Sequence, residues 1–211
     1  MTLHTNLEWK PEINIVSRKV HFTLHQLREI CSTLSSLTKL TLVSSLILPH
    51  LDYGCVIFHD LPVNLVTKLK RLYNCALRFV YGLRPNEHIT PYIVQFGFIS
   101  SRTRRLYFLE CLFYTVITTQ KPQFLYSLFT ADESFRRSNR PNIASSRFNI
   151  PQFNNDIYEY SFAIAAVRIW NLLPPKARLA NNKNIFKSEL EKLTRIEWPV
   201  SFILYILIYS Y

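Results

Sequence analysis

Ser161–Arg178 reads SFAIAAVRIWNLLPPKAR, and its apolar residues recur at the spacing of a helix. Phe162, Ala165, Ala166, Ile169, Trp170 and Leu173 fall on one stripe, with Arg168 and Asn171 off it. Pro174 and Pro175 then end the pattern, because a proline lacks the backbone donor and restricts the residue before it. An indole late in a short amphipathic helix buries a large area, so Trp170 is expected to anchor a core rather than to bind a ligand.

The same alternation of Leu and Ile with charged residues, at periods of three and four, runs through most of the chain. At 211 residues with 48% apolar content, the chain can form one sizeable core or a core with a loosely packed extension. Three glycines are few for a fold built on phosphate-cradling loops or many tight hairpins. The expected fold is therefore all-α: an irregular helical bundle of about seven to eight helices, with an Arg-rich loop and a hydrophobic C-terminal tail. Composition divides it into a helical region over 1–130, a polar loop over 131–157, C-terminal helices over 158–197 and the tail over 198–211.

The charge balance, 25 Lys and Arg against 14 Asp and Glu, gives +11 and a pI near 9.6. Such a field favours polyanions, nucleic acid first and an anionic membrane surface second. Cys31, Cys55, Cys75 and Cys111 lie scattered among apolar neighbours with no CxxC pair. They read as reduced core residues of an intracellular protein, in cytoplasm or nucleus, not as a disulfide frame or a zinc site. The first thirty residues carry no continuous hydrophobic region that would serve as a secretory signal. Trp198–Tyr211 is uncharged, but its fourteen residues fall short of the roughly twenty that span a bilayer. A buried segment or a non-native tail is expected there, and membrane attachment is not.

In chain order, Pro11 is placed to open a helix through Ile13, Val16, Val20, Leu24, Leu27 and Ile30. His21 and His25 stand four apart but read as surface or half-buried residues rather than a metal pair. A second helix starts at Ser35 or Ser36, kinks at Pro49 and resumes through Ile57. Asp52 has no second carboxylate near it and reads as a hydrogen-bonded structural acid. Pro62–Leu83 is a basic amphipathic helix stopped by Gly82, with Lys68, Lys70, Arg71 and Arg78 off its apolar stripe. Tyr73, Phe79 and Tyr81 could stack on bases, but aromatics so regularly spaced are expected to pack inward.

HITP at His88–Pro91 leads a short helix through Ile93 and Phe96. Ser100 or Ser101 caps the next, with Arg102, Arg104 and Arg105 in its first turns and an apolar run to Ile117. Cations there oppose the helix dipole, so a partner is expected: a phosphate, or an internal carboxylate such as Glu110. A short helix over Pro122–Phe129 closes the block. Arg136, Arg137, Arg140 and Arg147 populate the polar interval, where no helical period survives. Asn181 or Asn182 precedes a last helix, NIFKSELEKLTRI, with internal ion pairs.

Several phrases occur together in one order: NLEWKPEI from Asn6, SLILPHLDYG from Ser45, LYNCALR from Leu72, HITP from His88, KPQFLYSLF from Lys121, and SFAIAAVRIWNLLPPKAR followed by FKSEL from Phe186. In that order they resemble the region downstream of the polymerase palm in reverse transcriptases of LINE-type (non-LTR) retrotransposons, especially jockey-like elements of arthropods, over about residues 6 to 195. The resemblance implies a helical thumb and C-terminal region, partnered by the palm and contacting template RNA and primer DNA. The family's catalytic centre is a palm carboxylate cluster holding two metal ions, which needs acids close together. This chain has no paired aspartates, so no catalytic residue, metal ligand or cofactor carries over, and the chain by itself is expected to be inactive. The nucleic-acid contacts expected are Lys68, Lys70, Arg71, Arg78, Arg102, Arg104, Arg105, Arg136, Arg137 and Arg140. The alternative is a helical interaction module without a nucleic-acid role.

Overall fold

The computed structural model of the chain describes residues 9–30, 33–57, 61–95, 101–132, 147–152, 158 and 161–195. Arg136, Arg137, Arg140, Phe96 and the tail over Trp198–Tyr211 lie outside the described residues. The protein is all-α. Among the described residues the one extended pairing is an isolated antiparallel bridge between Ala131 and Phe148, and no helix is long and apolar enough to cross a membrane. The chain forms two compact units, Met1–Arg105 and Leu106–Tyr211; the polar interval that starts near residue 131 belongs to the second.

In the first unit, α1 (Lys10–Ile30) buries Ile13, Val16, Val20, Leu24 and Leu27. Ile30, expected on the same stripe, is exposed. His21 and His25 are exposed, with His25 Nδ1 3.8 Å from a Glu29 carboxylate oxygen.

Ser35 caps α2 (Ser36–Leu42), its hydroxyl accepting from the Thr38 N–H at 3.2 Å. The helix then widens into a π turn over Val43–Ile47 before α3 (Leu48–Asp52). Pro49 explains the change: with no N–H to give the preceding turn, and a ring that crowds it, a wider turn lets the chain continue without a break. The helix does not run on to Ile57. Gly54 takes a positive φ of 71° and turns the chain out at Tyr53.

α4 (Val63–Tyr81) buries Leu65, Leu69, Leu72, Tyr73, Ala76, Leu77, Phe79 and Val80. It packs against α1 and α2, and its residues join those of α1 and the π turn in one core that Ile89 completes. Gly82 ends α4 at φ 65°, and the Leu83 N–H reaches back to the Arg78 carbonyl at 3.0 Å, which is the Schellman closure. The aromatics of α4 point inward, as expected. Tyr73 and Phe79 are buried, and Tyr81 stacks on Tyr92 of α5 (Thr90–Gln95) with ring centroids 5.0 Å apart.

α6 (Ser101–Thr119) passes from the first unit into the second. In the second unit it is followed by α7 (Gln123–Tyr126), shorter than the Pro122–Phe129 helix expected, with turns after Tyr126. α8 (Phe162–Leu172) and α9 (Pro175–Arg178) meet at the double proline, and α10 (Lys183–Arg195) is the last helix among the described residues. Its core is aromatic. Trp170 is fully buried and lies 5.2 Å from Phe113 and 5.7 Å from Phe186, while Tyr114 stacks on Phe186 at 4.4 Å. The anchor role expected of Trp170 holds.

Candidate nucleic-acid interface

α4 carries Lys68, Lys70, Arg71 and Arg78 and not one acidic residue. At 100° per residue, Lys68 and Arg71 share a face, Arg78 follows two turns beyond Arg71, and Lys70 lies to the far side of Arg78. Their environments separate them. Lys68 is half-buried and donates to the Asn14 side-chain oxygen of α1 at 2.6 Å. Arg78 donates from Nε to the Arg84 carbonyl at 3.2 Å and from Nη2 to the Glu87 carbonyl at 3.3 Å, stitching down the loop after α4. Lys70 and Arg71 remain exposed, with no ion pair among the described residues. Exposed cations on α1, among them Arg18, Lys19 and Arg28, add to the field of this unit.

The arginines at the start of α6 are drawn inward. Arg104 grips Asp52 with two parallel hydrogen bonds, Nε to Oδ1 and Nη2 to Oδ2, both 2.6 Å. This is the bidentate geometry that a guanidinium and a carboxylate favour. Burial works against the Arg104 charge, but the bonds and charge of Asp52 outweigh it and raise its pKa. The acid that answers Arg104 is therefore Asp52, the structural acid expected on α3. It is not Glu110, which is fully buried with neither carboxylate oxygen bonded among the described residues. Arg105 is buried, and burial followed by the neighbouring Arg102 lowers its pKa; burial lowers that of half-buried Arg102 as well.

Cys55 sits in the same neighbourhood. Burial, reinforced by Asp52, pushes its thiol up to about 12 against the opposing pull of Arg105 and Arg104. A thiol so protonated is no nucleophile.

Of the expected contacts that are described, the structure leaves Lys70 and Arg71 turned to solvent and commits Lys68, Arg78 and Arg104 to protein groups. Sequence reasoning missed Asn14 as the partner of Lys68 and Asp52 as the partner of Arg104. Such links join distant residues and have no local periodic signature. No group of His, Cys, Asp and Glu able to hold a metal ion occurs among the described residues. Compared with family models, with curated proteins and with solved structures, the chain matches none of them.

Proposed function

We propose that this chain corresponds to the post-palm region of a LINE-type retrotransposon reverse transcriptase, and that by itself it binds RNA or DNA without sequence preference and without catalysis. The observation that carries the binding is α4, a helix with four cations and no acid, whose Lys70 and Arg71 face water. Cations in that position can neutralise backbone phosphates and release their counterions, which gives affinity without base readout. The net charge of +11 supports the same reading by raising the encounter rate with any polyanion. The order of the six phrases supports the reverse-transcriptase origin, and the absence of paired aspartates supports inactivity. The test is a salt series on a short single-stranded RNA and its DNA counterpart. Log affinity should fall linearly with log salt, and a flat dependence, or no binding at low salt, disposes of the proposal.

A second reading is an interaction module. Phe22 at 63%, Leu37 at 75% and Tyr53 at 68% exposure leave apolar surface on the first unit, which a protein partner such as a palm domain would cover. That reading predicts concentration-dependent self-association in the absence of a partner and no effect of oligonucleotides on it.

A further inference from the structure

We infer that the cavity under α3 and α4 at the start of α6 is a binding site for one small monovalent anion of halide size, held by Arg105. The inference does not rest on nucleic-acid binding. The cavity is lined by Leu51, Asp52, Leu69, Tyr73, Arg104 and Arg105 and has a volume of about 20 Å³, room for a single water-sized occupant.

Two guanidinium groups and one carboxylate line this space, and the carboxylate is already taken. Both oxygens of Asp52 accept from Arg104. Arg105 is only 7% exposed, and its Nη1 has no hydrogen-bond partner among the described residues. A guanidinium does not shed its proton, so the charge stays. Among the described residues no other acid lines the cavity; Glu29 lies beside His25 and Glu87 beside Arg84. A water molecule could satisfy the donor but not the charge, whereas an anion satisfies both. The walls select among anions. Leu51 and Leu69 are apolar, which favours a weakly hydrated chloride or bromide over fluoride, and the volume excludes a whole phosphate group.

The decisive experiment uses bromide on the full chain. Crystals grown in sodium bromide should show an anomalous peak within hydrogen-bonding distance of the Arg105 guanidinium; water or vacancy there overturns the assignment. In solution, the urea midpoint should rise as bromide replaces fluoride at constant ionic strength. Arg105→Met should abolish that rise, and an equal rise in both proteins overturns the site. Should Arg105→Met fail to fold, Leu69→Phe, which fills the space while keeping both arginines, must lose the bromide dependence. Stabilisation by phosphate equal to that by bromide would also overturn a halide-sized site.

Discussion

Asn171 holds Phe148 by both ends of its side-chain amide: the Phe148 N–H donates to Oδ1 at 3.0 Å, and Nδ2 donates to the Phe148 carbonyl at 2.8 Å. This clamp joins the segment around Phe148 to α8. Phe148 is also the residue of the bridge to Ala131, and its ring is buried 5.4 Å from Phe113 and 6.4 Å from Trp170. Asn171→Ala strips the side-chain partners from both the N–H and the carbonyl of Phe148 at the edge of the aromatic core. The expected loss is about 1–3 kcal/mol, the cost of leaving such groups unpaired. Asn171→Asp can still accept the N–H but sets a carboxylate against the carbonyl, so it should cost at least as much. Urea midpoints measure both, and an unchanged midpoint for the alanine variant means that the clamp contributes nothing.

Glu110 poses the opposite case, a carboxyl with no exposure and no bonded oxygen among the described residues. Burial holds its pKa well above the ordinary carboxyl value. The unfolded chain loses this proton near that ordinary value and the folded chain only at higher pH. Between the two, the unfolded state binds fewer protons, so stability falls as pH rises, by at most about 1.4 kcal/mol per pH unit from this group. Below the ordinary value both states are protonated and the penalty vanishes. Glu110→Leu should therefore be more stable than the parent at neutral pH by about 1–3 kcal/mol, and should lose the decline between mildly acidic and neutral pH. Denaturant titrations at two pH values decide it, and a parent protein whose stability rises over that interval while the leucine variant stays flat would falsify the assignment.

The turn at Gly82 offers a cleaner energetic test. Its φ is 65°, and a Cβ added there would meet nothing within 4 Å. Gly82→Ala thus carries only the conformational penalty of the left-handed region, about 1–2 kcal/mol, with no clash to confuse it. Gly82→Asn should cost less, because asparagine tolerates this region. Equal stability of all three proteins, read from thermal melts, would mean that the Schellman closure has no energetic part in ending α4.

The pair Asp52 and Arg104 is partly buried, at 19% and 26% side-chain exposure. Asp52→Asn removes the charge that balances Arg104 and should cost about 1–3 kcal/mol, more than an exposed pair and less than a fully buried one. The neighbouring thiol reports the change. With a pKa of about 12, Cys55 has a thiolate fraction near one part in 10⁴ at pH 8, and it is buried, so iodoacetamide reaches it only when the unit opens. Peptide mapping should show slow labelling of Cys55 in the parent and faster labelling in Asp52→Asn. Labelling in the native parent at the rate of an unfolded thiol rules this out.

Local signals in the sequence suffice for some of these features and not for others. The anchor at Trp170, the stop at Gly82 and the inward aromatics of α4 follow from period and from backbone chemistry, both of which are local; the stripe itself is wider than expected, since Ala163, Ile164 and Val167 are buried while Phe162 and Ala165 are half-buried. Pro49 marked an interruption in its helix, but the period did not show that the chain would answer it with a π turn over Val43–Ile47. Asn171 lay off the apolar stripe, and its partner is 23 residues away. Arg104 and Asp52 are 52 apart. Periodicity tells which face of a helix is apolar, and says nothing of which polar groups meet across the fold. Glu110 had a local signal that could have been used: Leu106, Leu109, Phe113 and Ile117 place position 110 on the buried face.

Lys68 and the pair Lys70 and Arg71 separate stability from binding on one helix. Lys68 is tied to Asn14 across the α1–α4 packing, so Lys68→Met should lower the urea midpoint and leave nucleic-acid affinity per folded molecule nearly unchanged. Lys70→Glu with Arg71→Glu should do the reverse, because both side chains are exposed and neither holds a protein group among the described residues. If each cation neutralises one phosphate of a single strand, losing two reduces the slope of log affinity against log salt by about 1.4. Reversal of charge also repels the backbone, so the loss of affinity should exceed that of the double alanine variant and shrink at high salt. Filter binding across a salt series measures slope and affinity together. A double reversal with an unchanged slope would remove α4 from the interface and shift attention to the cations of α1.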